Sequence, residues 1–212
     1  MKQLEITGTN TPTVLIVDDD DAVRDSLTLL LGLHGYRTQA YGSAEDFLDR
    51  LGDGMRGCLL LDLRLPGMTG LELQASLATR KIALPILILT AHGDIATARH
   101  ALKAGAFDFI EKPIDPERLI PAIEAALAAE ATEHEVVSRR AVLERRLERL
   151  TPREREVLEF VVSGRHNRKI ATDLGISPRT VEVYKARLMQ KLQVDRLPDL
   201  IRIALDLDLR TR

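Results

Sequence analysis

Short apolar runs alternate with amphipathic stretches of helical length through the first 127 residues. Five such runs lie at Thr13–Val17, Arg37–Tyr41, Cys58–Leu61, Ile86–Leu89 and Phe109–Glu111. Runs rich in Val, Ile and Leu are typical of strands buried on both faces. Their alternation with helices predicts an α/β fold with a doubly wound, five-stranded parallel sheet. The second run is the most polar, which favours an edge position.

Capping residues delimit the predicted helices of this region, which lie near 22–34, 44–51, 71–78 and 95–104 and from 116 onward. Ser43, Asp94 and Asp115 are suited to be N-caps, and Asp46 stands where a reciprocal capping acid would. Gly35 ends the first helix. These signals place a helix after each predicted strand.

A charged helix is predicted to continue from residue 116 through 128–150, a segment without Gly, Pro, Asn or Asp. Its apolar positions form one stripe that Arg140 interrupts, namely Val136, Leu143, Leu147 and Leu150. The stripe fits either a solvated linker helix or a short coiled-coil seam between two subunits, because it spans only two heptads.

The last part of the chain is predicted to be an all-α domain of four helices. Thr151 as N-cap, Pro152 in the first turn and Glu154 as reciprocal acid begin the first helix. Further helices are predicted near 168–174, 177–192 and 197–207, with Gly164 and Gly175 in the turns. Two short helices joined by a tight turn, the second capped and basic, form a helix-turn-helix pattern.

Charge is distributed unevenly along the chain, although its 212 residues sum to a formal charge of -2. Residues 1–127 carry a net charge of -6, residues 128–150 none and residues 151–212 a net charge of +4. The basic part is suited to a polyanionic partner. The predicted division is a tail at 1–12, an α/β domain at 13–127, a helical linker at 128–150 and a helix-turn-helix domain at 151–212.

A single cysteine and the absence of long apolar stretches predict a cytoplasmic protein with no membrane contact. Cys58 cannot form an intrachain disulfide, and its apolar surroundings predict a core residue. Met1–Pro12 lacks the apolar core of a signal peptide. No stretch approaches the roughly 20 apolar residues that cross a bilayer.

Five side chains able to do chemistry stand at the carboxyl ends of four predicted strands. Asp18 and Asp19 follow the first strand, while Asp62, Thr90 and Lys112 close the third, fourth and fifth. Parallel sheets bind ligands outside this edge, so we expect the five side chains to meet in one cleft. Three neighbouring carboxylates raise one another's pKa. Mg²⁺ would relieve their repulsion, because it prefers oxygen ligands.

Eight strings of residues, in this order and at these spacings, carry a family resemblance. In the front part they are Val-Asp-Asp-Asp at 17–20, Leu-Leu-Asp-Leu-Arg-Leu-Pro-Gly-Met-Thr-Gly at 60–70, Leu-Thr-Ala-His-Gly-Asp at 89–94 and Lys-Ala-Gly-Ala-Phe-Asp-Phe-Ile-Glu-Lys-Pro at 103–113. In the rear part they are Leu-Thr-Pro-Arg-Glu-Arg-Glu-Val-Leu at 150–158, Asn-Arg-Lys-Ile-Ala at 167–171, Leu-Gly-Ile-Ser-Pro-Arg-Thr-Val-Glu-Val-Tyr at 174–184 and Lys-Leu at 191–192. Together they resemble a two-component response regulator of the FixJ/NarL type, with a CheY/flavodoxin-like receiver domain before a LuxR-type helix-turn-helix domain.

The resemblance implies that Asp62 accepts a phosphoryl group from a sensor histidine kinase. It assigns Asp18, Asp19, Asp62 and the backbone carbonyl of Arg64 to Mg²⁺. It assigns Lys112, with Mg²⁺, to the neutralisation of the phosphoryl oxygens.

Thr90 and Phe109 form the switch that the resemblance implies. Thr90 would bind a phosphoryl oxygen, and Phe109 would rotate into the vacated space, which shifts the population between two packings. The competing interpretation of Phe109 is plain core packing. His92 and Asp94 near the cleft mouth are interpreted first as loop and cap residues. Family usage also implies a cis peptide between Lys112 and Pro113.

The resemblance places the helix 177–192 in the major groove of double-stranded promoter DNA. The implied base or backbone contacts are Glu182, Val183, Tyr184, Lys185 and Ala186, where Tyr184 departs from the usual His. The candidates for phosphate contacts are Asn167, Lys169, Arg179, Thr180 and Arg187. Any one charged residue could instead belong to a solvated helix face. Core positions by periodicity are Ile170, Leu174, Ile176, Val181, Leu188 and Leu192.

The expected function is phosphorylation-dependent transcriptional regulation. Phosphorylation would favour a homodimer, which doubles the DNA contacts and brings the protein to RNA polymerase. We expect no enzymatic turnover beyond Mg²⁺-dependent self-phosphorylation from the kinase phosphohistidine and slow autodephosphorylation.

Three rival functions compete with this expectation. The first is a haloacid-dehalogenase-like phosphatase, which needs a second acid two residues after the nucleophile, where Arg64 stands. The second is an interaction protein whose rear domain binds no DNA. The third is regulation independent of phosphorylation, which the intact acidic cleft disfavours.

Overall fold

The computed structural model of this chain describes residues 12–52, 54–91 and 95–206. The chain divides into two compact units, Met1–Glu133 and His134–Arg212. Each unit has its own apolar core. His92 and the cap predicted at Asp94 lie outside the described residues.

The front unit contains a five-stranded parallel sheet. Its strands are β1 (Thr13–Val17), β2 (Arg37–Tyr41), β3 (Gly57–Asp62), β4 (Ile86–Thr90) and β5 (Asp108–Glu111). The strand order is β2-β1-β3-β4-β5, and every neighbouring pair is parallel. This order confirms the predicted doubly wound sheet and places its switch point between β1 and β3. The polar strand β2 is an edge strand, as predicted.

Helices cover both faces of this sheet. They are α1 (Asp21–Leu33), α2 (Ala44–Arg50), α3 (Gly70–Thr79), α4 (Ile95–Lys103) and the first part of α5 (Pro116–Glu148). Leu59 packs in one core with Phe47 of α2, whereas its neighbour Leu60 packs in a second core with Leu31 of α1 and Ile123 of α5. Successive strand residues thus face opposite helical layers, which explains the continuous apolar runs.

Side-chain caps begin several helices where the sequence predicted them. Ser43 Oγ accepts the backbone N–H of Asp46 at 3.1 Å, and Asp115 Oδ1 accepts that of Glu117 at 2.9 Å. The Asp46 carboxylate does not act as the predicted reciprocal cap, because it pairs with Arg50 one turn later at 2.9 Å. The short Asp side chain therefore supports α2 from within the helix.

The rear unit contains four helices between residues 152 and 206: α6 (Pro152–Val162), α7 (Asn167–Leu174), α8 (Pro178–Leu192) and α9 (Leu197–Asp206). All six apolar positions predicted to be core belong to its core or pack against it. Gly175 ends α7 at φ +65°, in the left-handed region that glycine adopts without strain. The predicted helix-turn-helix arrangement is confirmed.

The predicted linker segment is helical, since α5 runs from Pro116 to Glu148 without interruption. The apolar stripe along it is divided. Leu147 and Leu150 belong to the rear core, whereas Val136 is 59% exposed. The four positions therefore form no continuous seam, which favours the solvated-helix interpretation. No helix within the described ranges, including this long one, is apolar enough to cross a membrane.

Candidate functional site

Three carboxylates meet at the C-terminal edge of the sheet, as predicted. Asp18 and Asp19 follow β1, and Asp62 ends β3. Each offers an oxygen within 4.8 Å of the other two. Asp18 is fully buried, Asp62 is 7% exposed and Asp19 is exposed. The pairing of β1 with β3 brings them together, because it sets Val17 opposite Leu61.

Lys112 connects the two buried carboxylates. Its Nζ donates to Asp18 Oδ2 at 2.7 Å and to Asp62 Oδ2 at 3.0 Å. Burial alone would lower the pKa of Lys112, but the hydrogen bonds to both carboxylates outweigh it and raise the pKa. The Lys112–Pro113 peptide is cis, as the resemblance implied. One ammonium group thus faces two carboxylates, and the exposed Asp19 adds a third negative charge nearby.

The Asp62 carboxylate is only partly compensated by its surroundings. Burial raises the pKa of Asp62, and the charge of Asp18 adds to the increase. The Lys112 ammonium and the Arg64 N–H, which lies 3.4 Å from Asp62 Oδ1, oppose this increase without cancelling it. A carboxyl group with a raised pKa in a cleft is typical of a functional site. A cation bound beside it would favour the ionised form.

The donor set fits a small divalent cation. All three side chains offer oxygen, the ligand that Mg²⁺ prefers. Ligand atoms at about 2.1 Å from such an ion lie up to about 4.2 Å apart, close to the spread of these oxygens. Coordination by the Arg64 carbonyl remains a prediction.

Two residues that support the cleft were not predicted from the sequence. Arg24 of α1 donates to the backbone carbonyl of Asp18 at 2.6 Å and pairs with Asp21. Gly70 begins α3, and a Cβ at this position would lie 2.3 Å from the carbonyl oxygen of Asp62. Only glycine allows α3 to start this close to the end of β3. The sequence signal was the glycine itself, which ends the string 60–70.

Thr90 and Phe109 lie on the adjacent strands β4 and β5. Thr90 ends β4 and is buried, with Oγ1 at 3.4 Å from the carbonyl oxygen of Ala91. Phe109 is half-buried and packs against the core that includes Leu61 and Ile88. This position supports the core-packing interpretation of Phe109, and its switch role remains a prediction.

Helix α8 presents one buried face and one exposed face. Ser177 caps it, accepting the Thr180 N–H at 3.1 Å and bonding the Thr180 hydroxyl at 2.8 Å. Val181 and Leu188 lie in the rear core. Of the predicted contacts on this helix, the exposed ones, at helical spacing, are Arg179, Glu182, Val183, Ala186 and Arg187. These predicted DNA contacts are therefore free of the core and share one surface.

The remaining predicted DNA contacts interact within the rear unit. Lys185 Nζ donates to Asn167 Oδ1 at 3.2 Å, and Lys169 pairs with Asp173 at 3.1 Å. Tyr184 is half-buried and packs against the core. Asn167, Tyr184 and Lys185 are half-buried and would have to rearrange to reach DNA, whereas Lys169 is exposed although it is paired.

Two family models match the chain. The response regulator receiver domain matches residues 14–124, and the luxR family of bacterial regulatory proteins matches residues 148–204. The first match includes the whole acidic cleft, and the second includes all of α8.

Relatives match both units in the same order. The transcriptional regulatory protein FixJ of Rhizobium meliloti is 47% identical over 197 residues, which cover 91% of this chain and 95% of that protein. FixJ of Azorhizobium caulinodans is 45% identical over 192 residues, 91% of each chain. The solved structure of the response regulator StyR has a TM-score of 0.85 at 40% identity and covers 92% of this chain and 98% of its own. The solved structure of full-length FixJ from B. japonicum has a TM-score of 0.58 at 38% identity and covers 95% of this chain and 99% of its own.

Proposed function

Because the chain belongs to the response regulators that join a receiver domain to a LuxR-type DNA-binding domain, we propose that Asp62 is the phosphoryl acceptor of a phosphorylation-dependent transcriptional regulator. The observation that carries the proposal is the buried, partly compensated Asp62 carboxylate beside Asp18 and Lys112. The proposed receiver is 13–127, the linker 128–150 and the DNA-binding domain 151–212. Its partners are a sensor histidine kinase and double-stranded promoter DNA.

The proposed reaction is phosphoryl transfer to an oxygen of Asp62. This oxygen forms the new O–P bond while the P–N bond of the kinase phosphohistidine breaks, and the imidazole leaves with the electron pair. Lys112 lies close enough to Asp62 to bind a transferred phosphoryl oxygen. Mg²⁺, held by Asp18, Asp19, Asp62 and the Arg64 carbonyl, would neutralise charge on the transferred group. Water then removes the phosphoryl group slowly, without turnover of any other substrate.

The proposed switch begins at Thr90. Its hydroxyl ends β4 at the cleft edge, and its contact with the Ala91 carbonyl is long, at 3.4 Å, so the hydroxyl could turn to a phosphoryl oxygen. Movement of Thr90 would leave space for Phe109, which lies on the adjacent strand. The phosphoryl group then favours one of two packings of the same residues.

The proposed DNA reader is the exposed face of α8. Glu182 could accept from cytosine N4, Val183 could contact a thymine methyl, and Arg179 and Arg187 could bind phosphates. One such unit makes few base contacts, so useful affinity requires a homodimer on paired half-sites. Phosphorylation would favour this dimer, which would then contact RNA polymerase.

The Asp62→Asn variant tests the proposal. We expect it to take up no phosphoryl group from acetyl phosphate with Mg²⁺, and to bind DNA with the same affinity with and without the donor. The DNA probe is a duplex selected from a random-sequence pool with the phosphorylated parent. Asp49→Asn, at an exposed position of α2, is the control and should respond like the parent. Phosphate-stimulated binding by Asp62→Asn would refute the mechanism, and failure of the parent to select any duplex would refute the DNA-binding role.

A further inference from the structure

A two-point ion pair joins Arg56 to Glu130 at the edge of the sheet opposite the acidic cleft. Arg56 directly precedes β3, and its backbone carbonyl accepts the Thr13 N–H at 3.0 Å, where β1 begins. Its Nε and Nη2 donate to Glu130 Oε1 at 2.8 Å and Oε2 at 2.9 Å. Glu130 belongs to α5, 74 residues later in the chain. The pair therefore ties the start of β3 to the long helix.

Burial distinguishes this pair from the exposed ion pairs of α5. The Arg56 and Glu130 side chains are 15% and 6% exposed, whereas Arg139 and Glu135 are 72% and 70% exposed. Exposed pairs contribute little to stability, but a buried carboxylate that loses its partner is left uncompensated. The receiver therefore strongly favours the arrangement in which Glu130 meets Arg56.

Glu130 also lies close to the apolar core of β3. Burial raises the pKa of the Cys58 thiol to about 12, and the Glu130 carboxylate is the second cause of this increase. Cys58 is fully buried, which confirms its predicted core position. Glu130 thus lies beside this core, and the Arg56 guanidinium binds both of its carboxylate oxygens.

Glu130 lies at a boundary along α5 between buried and exposed positions. Glu130 is buried, but from residue 131 to residue 140 every position is exposed except the half-buried His134. The receiver family model ends earlier, at residue 124. Glu130 thus lies beyond the matched receiver, at the last buried position before the solvated part of the linker.

We propose that Arg56 and Glu130 are the anchor by which the receiver holds the linker helix, so that phosphorylation at Asp62 alters DNA binding only while the pair is intact. This inference rests on the proposed function. With the pair formed, α5 as far as residue 130 moves together with β3. Without it, apolar contacts such as those of Ile123 and Ala126 still hold the earlier part of the helix, but the start of the linker can detach from the sheet.

Glu130→Gln tests the anchor, with Glu135→Gln as the matched control that breaks an exposed Arg–Glu pair of the same helix. We expect about tenfold faster amide exchange over residues 126–133 in Glu130→Gln, as in local opening, and the parental rate in Glu135→Gln. Phosphoryl uptake from acetyl phosphate should match the parent. The ratio of affinities for the selected duplex, with and without the donor, should fall towards one.

Arg56→Lys is the second variant, used also if Glu130→Gln does not fold. It keeps the charge but cannot form the two-point contact, so we expect an intermediate increase in exchange and an intermediate affinity ratio. If these variants keep the amide exchange rate and the affinity ratio of the parent, or if Glu135→Gln changes both as much, the anchor proposal is wrong while the proposed function stands. A parent that is phosphorylated without any change in DNA affinity would instead refute the proposed function, and the coupling with it.

Discussion

Each unit of the molecule holds a buried carboxylate beside a lysine, and these two carboxylates, Asp62 and Glu154, differ in how completely they are compensated. In the front unit, Asp62 is 7% exposed and shares the Lys112 ammonium with a second buried carboxylate. In the rear unit, Glu154 is 3% exposed and has Lys191 at 2.6 Å. Glu154 also accepts the Thr151 N–H at 2.8 Å, which completes a capping box at the start of α6.

The pKa values of the two carboxyl groups consequently shift in opposite directions. For Asp62, burial exceeds the effect of Lys112, and the pKa is raised. For Glu154, burial is also the largest single effect, but the hydrogen bonds from Lys191 and Thr151 together exceed it and lower the pKa. Glu154 is thus a structural residue that ties α6 to α8. Asp62 keeps an excess of negative charge that a cation can relieve, and this excess, rather than burial alone, is the reason to propose Asp62 as the functional carboxylate.

The largest predicted effect is that of Mg²⁺ on the stability of the two units. At 100 times its Kd it should stabilise the front unit by about 2.7 kcal/mol and leave the rear unit unchanged, because only the front cluster is undercompensated. Amide exchange in mild denaturant, followed in β3 and in α6, measures the two units separately. Asp18→Asn should abolish the effect. Equal stabilisation of both units, or an unchanged effect in Asp18→Asn, would contradict the comparison.

Removal of the structural carboxylate should have the next largest effect. Glu154→Ala should destabilise the rear unit by about 2 kcal/mol, because it removes a cap bond and the Lys191 partner. Glu72→Ala is the matched control, since Glu72 is the same capping-box acid of α3, bonded to the Thr69 N–H at 2.8 Å, but is exposed. It should cost the front unit less than Glu154→Ala costs the rear unit, because Glu72 is exposed. If the two variants cost the same, burial and the lysine would add nothing to the cap.

The elements and the acidic cleft were predictable because their signals are local. Each strand is a short apolar run, and a parallel sheet necessarily brings Asp18, Asp62 and Lys112 to one edge. The sequence also identified Glu154 as a capping acid from its spacing to Thr151. Its burial and its contact with Lys191 come from the packing of α6 against α8, which no local pattern encodes.

The Arg56–Glu130 pair shows the limit of sequence interpretation more clearly. Glu130 lies in a charged segment with two further glutamates close by, Glu133 and Glu135, and both of these are exposed. Nothing local distinguishes it from them, and its partner is 74 residues away. The close approach of Gly70 to Asp62 is hidden in the same way, because a loop glycine has many possible causes.

The opposite pKa shifts predict that neutral substitutions of Asp62 and Glu154 change the unfolding free energy in opposite directions. These changes should be the smallest of the three predicted effects. The pKa of Asp62 is higher in the folded protein than its ordinary 3.8, so ionisation at neutral pH destabilises the front unit. Without Mg²⁺, Asp62→Asn should therefore raise the unfolding free energy of this unit by about 1 kcal/mol. This gain in unfolding free energy should vanish as pH falls through the raised pKa of Asp62 towards 3.8, because the Asp62 carboxyl of the parent then becomes neutral too.

Glu154→Gln should behave in the reverse sense. The folded pKa of Glu154 lies below its ordinary 4.5, so its ionised form contributes stability that is fully present above 4.5 and is lost as pH falls through the lowered value. The variant should be less stable than the parent at neutral pH by about 1 kcal/mol, and the deficit should disappear in acid. Exchange-derived unfolding free energies between neutral pH and the acid limit of folding measure both differences, with Asp49→Asn, at an exposed position of α2, as the control. If Asp62→Asn instead destabilises the front unit at neutral pH, Lys112 compensates Asp62 as fully as Lys191 compensates Glu154, and the distinction between the two carboxylates is wrong.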